Sequence, residues 1–356
     1  MASKLSQDWR SDRETKLDVL HEQLTSAVNS LVSGDDWVAA MTFAARFRSR
    51  SFNNTLLIFA QHTQRFQEGL VGAASPTYVA GFRQWETLGR AVVKGQRGYM
   101  IQAPVTQRWT TGSDGELSGR RLGHREKPEP GERVRTRLVG VKPAYVWDVC
   151  QTSGADVPQR PTPRLLAGAA PAGLWEGLAA QIEQAGFRVS VAVSATPLGG
   201  ANGVTDYVAR TVQVRGDMDE AARVKTLAHE LAHVLMHDPT DEDVRAHRGI
   251  REVEAESVAM MIGAAHAMPT DSYTVPYVST WASTVAGRTP SEVVRATGER
   301  VRGTAITILD RLDTPQVGGG DPPGLDRAAP SGPRPTAAGP SLSVQVTPLA
   351  GQVIGV

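Results

Sequence analysis

His229-Glu230-Leu231-Ala232-His233 lies inside Thr226–His237, an apolar run at helical spacing. One α-turn separates the two histidines, so both imidazoles leave the same helix face and can meet on a single ion. Glu230 directly follows the first histidine, where a carboxylate can take a proton from water activated by that ion. Five residues thus carry two ligands and a general base, the core of a zinc hydrolase, with Zn2+ as the expected cofactor. The neighbours Leu227, Ala228, Leu231, Ala232, Val234 and Leu235 predict burial on several sides. A histidine or glutamate buried there without a partner would cost roughly 2–7 kcal/mol, so the motif should have partners.

The third ligand is expected in Arg251-Glu252-Val253-Glu254-Ala255-Glu256-Ser257-Val258-Ala259-Met260, at the head of a second buried helix, Val253–His266. Zinc enzymes of the two-histidine-plus-glutamate type take their third ligand from such a following helix. Glu252 and Glu256 are one turn apart and share a face, so Glu252 is assigned as ligand and Glu256 as the group that orients a ligand histidine. Glu254 points about 160° away from Glu256's face. It is expected to meet Arg251 or solvent and is the fallback ligand. His237 lies a further turn beyond His233, as an outer partner of the site or an ordinary satisfied histidine. His247, in the acidic loop Asp238–Arg248, is expected in solvent.

At 356 residues the chain has room for two domains. The net charge of +1 hides an asymmetry. Positions 1–150 hold 21 Lys/Arg against 15 Asp/Glu, and the remainder 17 against 22. A basic front half makes a polyanion its natural partner. Cys150 is the sole cysteine, which excludes an internal disulfide and fits a reducing compartment. Met1–Thr25 is charged and lacks an apolar core, so no secretory signal is expected. No run approaches the ~18 apolar residues of a membrane span. A cytoplasmic protein with no membrane partner is the expectation.

Apolar periodicity predicts helices over Asp12–Val32, Trp37–Phe47, Phe52–Gln67 and Gly81–Leu88. Ala91–Val93 and Tyr99–Ala103 read as short strands around the turn Lys94–Gly98. Gln107–Arg133 is polar and Gly-rich, a long hairpin loop or partly disordered insertion. Val134–Val141 and Tyr145–Val149 return to strand. Thr152–Pro171 reads as a linker. Leu174–Gly186 is helical, Val189–Val193 and Tyr207–Val214 are strands, and Tyr207–Val214 leads into the motif helix Asp219–Asp238. Pro290–Thr304 and Ala305–Leu312 are two further helical pieces. The fold class is therefore α+β, in two domains at 11–150 and 172–313, with a linker at 151–171 and a disordered Pro/Gly-rich tail at 314–356.

The front half interleaves rings and cations. Tyr78, Phe82, Trp85 and Tyr99 offer flat faces on which bases can stack, each worth roughly 1–3 kcal/mol. Arg83, Arg90, Lys94 and Arg97 can neutralise phosphates, and Gly95 and Gly98 let a backbone approach closely. The opposing reading makes Phe82, Trp85 and Leu88 core and the cations a solvated face.

Three runs in this half carry a resemblance: Asn53-Asn54-Thr55-Leu56-Leu57-Ile58, Gly81-Phe82-Arg83-Gln84-Trp85-Glu86-Thr87-Leu88-Gly89-Arg90, and Val93-Lys94-Gly95-Gln96-Arg97-Gly98-Tyr99-Met100-Ile101-Gln102-Ala103-Pro104. They are similar to the N-terminal single-stranded-DNA-binding domain of ArdC-type antirestriction proteins. His229–His233 with Glu252–Ala259, and the segment Ser272–Val278 followed by Trp281-Ala282, resemble the ImmA/IrrE-type metallopeptidase domain that such proteins also carry. The likeness spans Ser11–Leu312; the 107–133 insertion and the 314–356 tail match no family pattern. It implies binding of single-stranded DNA and protection of incoming DNA from restriction; of the rings and cations above, Arg83, Trp85, Arg90, Lys94, Arg97 and Tyr99 are the expected contacts. The other reading is a zinc endopeptidase that cleaves a regulatory protein and uses DNA binding for targeting, with Tyr273 or Tyr277 stabilising the oxyanion.

Overall fold

The computed structural model describes residues 2–31, 33–111, 120–123, 126–157, 168–237, 248–270, 273, 275–276, 278–283, 285, 287–323 and 325. Three helices open the chain: α1 (Ala2–Asn29), α2 (Gly34–Arg46) and α3 (Phe52–Gln67). Ser33 and Ser51 start the second and third by accepting from the backbone N–H groups of Asp36 and Asn54. Then follow β1 (Val79–Ala80), α4 (Phe82–Thr87), β2 (Arg90–Val92), β3 (Tyr99–Thr111), β4 (Arg121–Leu122), β5 (Arg133–Asp148) and β6 (Thr152–Gly154). The back half runs α5 (Leu174–Gln184), β7 (Arg188–Ala192), β8 (Gly203–Asp206), β9 (Thr211–Arg215), α6 (Glu220–Met236), α7 (Arg248–Ala265), α8 (Val278–Ala282) and α9 (Pro290–Leu309). Mixed helix and sheet is what the two periodicities required.

Strand pairing departs from the sequence reading in instructive ways. β2 does not pair with β3 across the Lys94–Gly98 turn. It pairs antiparallel with β6, Ala91 opposite Ser153, so the start of the expected linker is a strand. β3 and β5 instead form one long antiparallel ribbon, from Tyr99 opposite Val146 to Thr111 opposite Arg133. The two strands expected within 134–149 are thus one strand. The polar 107–133 segment contains the ends of this ribbon and β4, while 112–119 and 124–125 lie outside the described residues. In the back half the sheet order is β7-β9-β8, with β7 parallel and β8 antiparallel to β9. The sequence reading missed β8 and assigned Tyr207–Arg210, a turn, to a strand.

One apolar cluster crosses between the two halves. Met1–Pro323 is one compact unit, and its larger cluster runs from Leu20, Trp37 and Leu57 to Leu231, Val258, Trp281 and Leu309, while a smaller one with Phe47, Ile58, Val79 and Val146 lies in the front half. Trp37 on α2 packs edge-to-face on Trp281 at 5.2 Å between ring centres, and its indole N–H donates to Ser257 Oγ on α7 at 2.8 Å. The boundary expected at 151–171 therefore separates segments of sequence, not hydrophobic cores. Nor does order stop at 314. The Val317 N–H donates to Ala265 O, and the Val79 N–H to Gly320 O. The linker stretch 158–167 and the tail from 326 onward lie outside the described residues. No described helix is long and apolar enough to cross a membrane.

Candidate metal centre

Helix α6 is started by Asp219, whose side chain accepts from the Ala222 N–H. Val224, Leu227, Ala228 and Leu231 bury one side of it against the core, which fixes its rotation. Leu235 is exposed, against expectation. The opposite face carries His229 and His233 toward α7.

Among the described residues, His229, His233 and Glu252 form the group able to hold a metal ion, with ligand atoms all within 4.8 Å of one another. His229 Nε2 and His233 Nε2 are 3.0 Å apart, and each lies 3.6 Å from Glu252 Oε2. Bonds of about 2.0–2.2 Å at tetrahedral angles separate ligand atoms by roughly 3.3–3.6 Å. The two histidine–carboxylate separations match this spacing, and the two imidazole nitrogens would have to spread slightly to hold an ion between them. His233 is buried, His229 partly buried and Glu252 exposed, so the site is open on the Glu252 side.

The partners that orient these groups are in place. His229 Nδ1 lies 3.2 Å from Glu256 Oε2, and Lys225 Nζ holds the other Glu256 oxygen at 3.0 Å. Burial works against the Glu256 carboxylate, but His229 and Lys225 outweigh it and keep its pKa low. Thr205 Oγ1 on β8 donates to Glu230 Oε2 at 2.6 Å. A side chain at Gly203 would sit 2.7 Å from Glu230 Oε1, so the edge strand and the Glu230 carboxylate are in van der Waals contact. The Tyr207 hydroxyl donates to the His233 carbonyl at 2.8 Å, pinning α6 to the turn after β8.

Two expectations need correction. Glu254 meets neither Arg251 nor solvent. It is buried, 3.0 Å from His237 Nε2 and bonded to Arg300, and so is not a ligand candidate. Tyr273 is buried, with its hydroxyl donating to Ala259 O at 3.2 Å, so it does not serve an oxyanion. Tyr277 and His247 lie outside the described residues.

His229 carries a consequence for metal uptake. Burial disfavours its imidazolium, but Glu252 and Glu256 outweigh burial and lift its pKa to about 9. At neutral pH the metal-free site therefore holds a proton on His229 that an ion must displace. Apparent affinity should rise about tenfold per pH unit and level off above about 9. Calorimetric Zn2+ titrations across that range, in buffers of different protonation enthalpy, measure both the slope and the released proton. A flat profile without proton release would contradict the assignment.

The sequence matches two family models, the N-terminal domain of anti-restriction factor ArdC over residues 14–147 and the IrrE N-terminal-like domain over 188–275. Over these two segments, and in this order, the chain is similar to ArdC-type proteins. His229, His233, Glu252 and Glu256 all fall inside the IrrE-like match. Two solved structures of the antirestriction ArdC protein from plasmid R388 are similar at 15% identity. The metal-free one covers 81% of this chain and 97% of its own, with a TM-score of 0.45. The Mn(II)-bound one covers 74% and 88%, with a TM-score of 0.41. No curated protein matches the sequence.

In the front half, which the ArdC N-terminal model matches, the expected DNA contacts divide. Trp85 and Tyr99 are 0% exposed and cannot stack on a base. The Trp85 indole donates to Trp147 O, and the Tyr99 hydroxyl pairs with His62 Nδ1 at 2.8 Å. Arg90 is committed to Thr152, with Nε 2.8 Å from its Oγ1, and so ties β2 to β6. Arg83, Lys94 and Arg97 are exposed. The accessible rings are others: Phe82 at 47%, Tyr145 at 44% and the partly buried Trp147. Phe82 meets Trp147 edge-on at 6.0 Å, and the Trp147 indole donates to Gln96 O in the Lys94–Gly98 turn. Period-two alternation carried this signal: Tyr145 and Trp147 share one face of β5, while Val146 and Asp148 are buried on the other.

Proposed function

We propose that the chain acts in antirestriction, binding single-stranded DNA through its front half, and that its back half is a zinc-dependent peptidase. The convergence of His229, His233 and Glu252 beside Glu230 carries the catalytic half. Two imidazole nitrogens and one carboxylate are a donor set that suits zinc. A bound ion would polarise a water and lower its pKa toward ~7. Glu230, held by Thr205, would serve as the general base toward the attacking water and as the acid toward the leaving amine. Among the described residues β8 pairs only with β9, so its outer edge offers backbone groups to an extended peptide beside Glu230. The substrate on this reading is a protein segment in extended conformation.

The ArdC N-terminal match supports the DNA half, as does the exposed set of Arg83, Lys94, Arg97, Phe82 and Tyr145 with the partly buried Trp147. Rings for bases and cations for phosphates favour unpaired strands with little sequence preference. Removing one cation that pairs with a phosphate should reduce the log–log salt slope by roughly 0.7. The double variant Arg83→Glu/Arg97→Glu should therefore bind a labelled oligonucleotide more weakly and with a shallower slope. Phe82→Ala should cost about 1–3 kcal/mol if one base stacks there. Fluorescence anisotropy at several salt concentrations reads both. Unchanged affinity and slope would remove these residues from the interface.

A further inference from the structure

His237 is the third histidine at four-residue spacing in α6 and sits at its C-terminal end, buried. Its Nδ1 is 2.9 Å from His233 Nδ1, and its Nε2 is 3.0 Å from Glu254 Oε2. The other Glu254 oxygen accepts from Arg300 Nε on α9 at 2.6 Å. The chain His233–His237–Glu254–Arg300 thus links three helices, and its last member is the most open to solvent, with about half of its side chain exposed.

With both rings neutral, the protons of this chain have one favourable arrangement. The Glu254 carboxylate only accepts, so His237 must present Nε2–H to it. His237 Nδ1 is then a lone pair, and His233 must donate Nδ1–H to it. That leaves His233 Nε2 unprotonated, facing His229 Nε2 and Glu252 Oε2. The opposite arrangement points a His237 lone pair at a buried carboxylate and puts a proton on the His233 nitrogen that faces the site. Arg300 pairs with the buried Glu254 carboxylate and offsets the cost of burying it.

We propose that His237, Glu254 and Arg300 are positioning residues that hold His233 in the tautomer able to bind metal through Nε2. The proposal rests on the metal-centre reading above. His229 is backed directly by Glu256, whereas His233 is backed through an intervening ring, so the charge that orients it sits one residue further from the ion. Carboxylates behind ligand histidines tune affinity in this way, typically by about 10–100-fold.

The test is calorimetric Zn2+ binding by the full chain, with circular dichroism to verify folding. His237→Phe keeps a ring but offers no acceptor, and should weaken binding about 10–100-fold. His237→Gln presents an amide oxygen that can accept His233 Nδ1–H and an amide N–H for Glu254, and should recover most of that loss. Glu254→Gln removes the anion that selects the tautomer and should weaken binding as well; it decides the matter if His237→Phe does not fold. Native-like affinity in a folded His237→Phe or Glu254→Gln protein overturns the relay. Equal losses in His237→Phe and His237→Gln overturn it too, because packing would then explain both. A wild-type chain that takes up no Zn2+ removes the metal-centre reading itself, and the relay with it.

Discussion

Glu230→Gln keeps its metal and loses peptide hydrolysis by ~10²–10⁴-fold, the usual worth of a positioned general base. The substitution is nearly isosteric. The amide oxygen can still accept from Thr205 Oγ1, which holds the carboxylate at 2.6 Å, so the side chain stays where it is. His229, His233 and Glu252 are untouched, and metal content should equal that of wild type. What disappears is the ability to take a proton, since an amide is no base at neutral pH. The measurement is metal analysis alongside casein cleavage, with and without a single-stranded oligonucleotide. Equal cleavage by variant and wild type would remove Glu230 from the chemistry. Loss of metal in the variant would reassign it to the ligand set.

His229→Ala/His233→Ala abolishes the stabilisation that metal confers. An ion present at a hundred times its Kd adds about 2.7 kcal/mol to a folded protein that alone binds it. For a large domain this moves Tm by roughly 5–10 °C. Wild type should show that rise in Zn2+ or Mn2+ and lose it in EDTA. The double variant retains one exposed carboxylate, Glu252, and should melt at the same temperature in both. Thermal melts of the two proteins, with and without chelator, read the effect directly. A double variant still stabilised by metal would place the binding site elsewhere. The apolar cluster shared by both halves makes the reach of this effect wide. Ser257, one residue beyond Glu256, accepts a buried hydrogen bond from Trp37 in the front half, so the melt should be one transition and not two.

Local periodicity exposed the motif because its geometry is local. A helix repeats every 3.6 residues, so His229 and His233 share a face whatever surrounds them. The same rule paired Glu252 with Glu256 and turned Glu254 away. It could not say what Glu254 turned toward. That depended on the docking of α9 and on His237 completing a third turn of α6, interactions across 17 and 46 residues of sequence. Trp85 and Tyr99 depart from expectation for a related reason. Rings next to cations look alike in sequence whether they face bases or core. The pairing of Tyr99 with Val146, the burial of that face of the ribbon and the docking of α3 through His62 decided the matter.

The chain by itself therefore determined most of its helices, although Pro290–Leu309 is one helix where two were expected, the grouping of His229 with His233 and of Glu252 with Glu256, and the two family patterns that its segments match. These rest on spacing within one or two helices and on residue chemistry. Tertiary structure alone decided that β2 pairs with β6, that both halves share one apolar core, which rings reach the surface, and what stands behind His233. Each depends on how elements distant in sequence are rotated and registered against one another. Hydrophobic burial drives that docking over the whole interface and is non-directional, so no local pattern records its outcome.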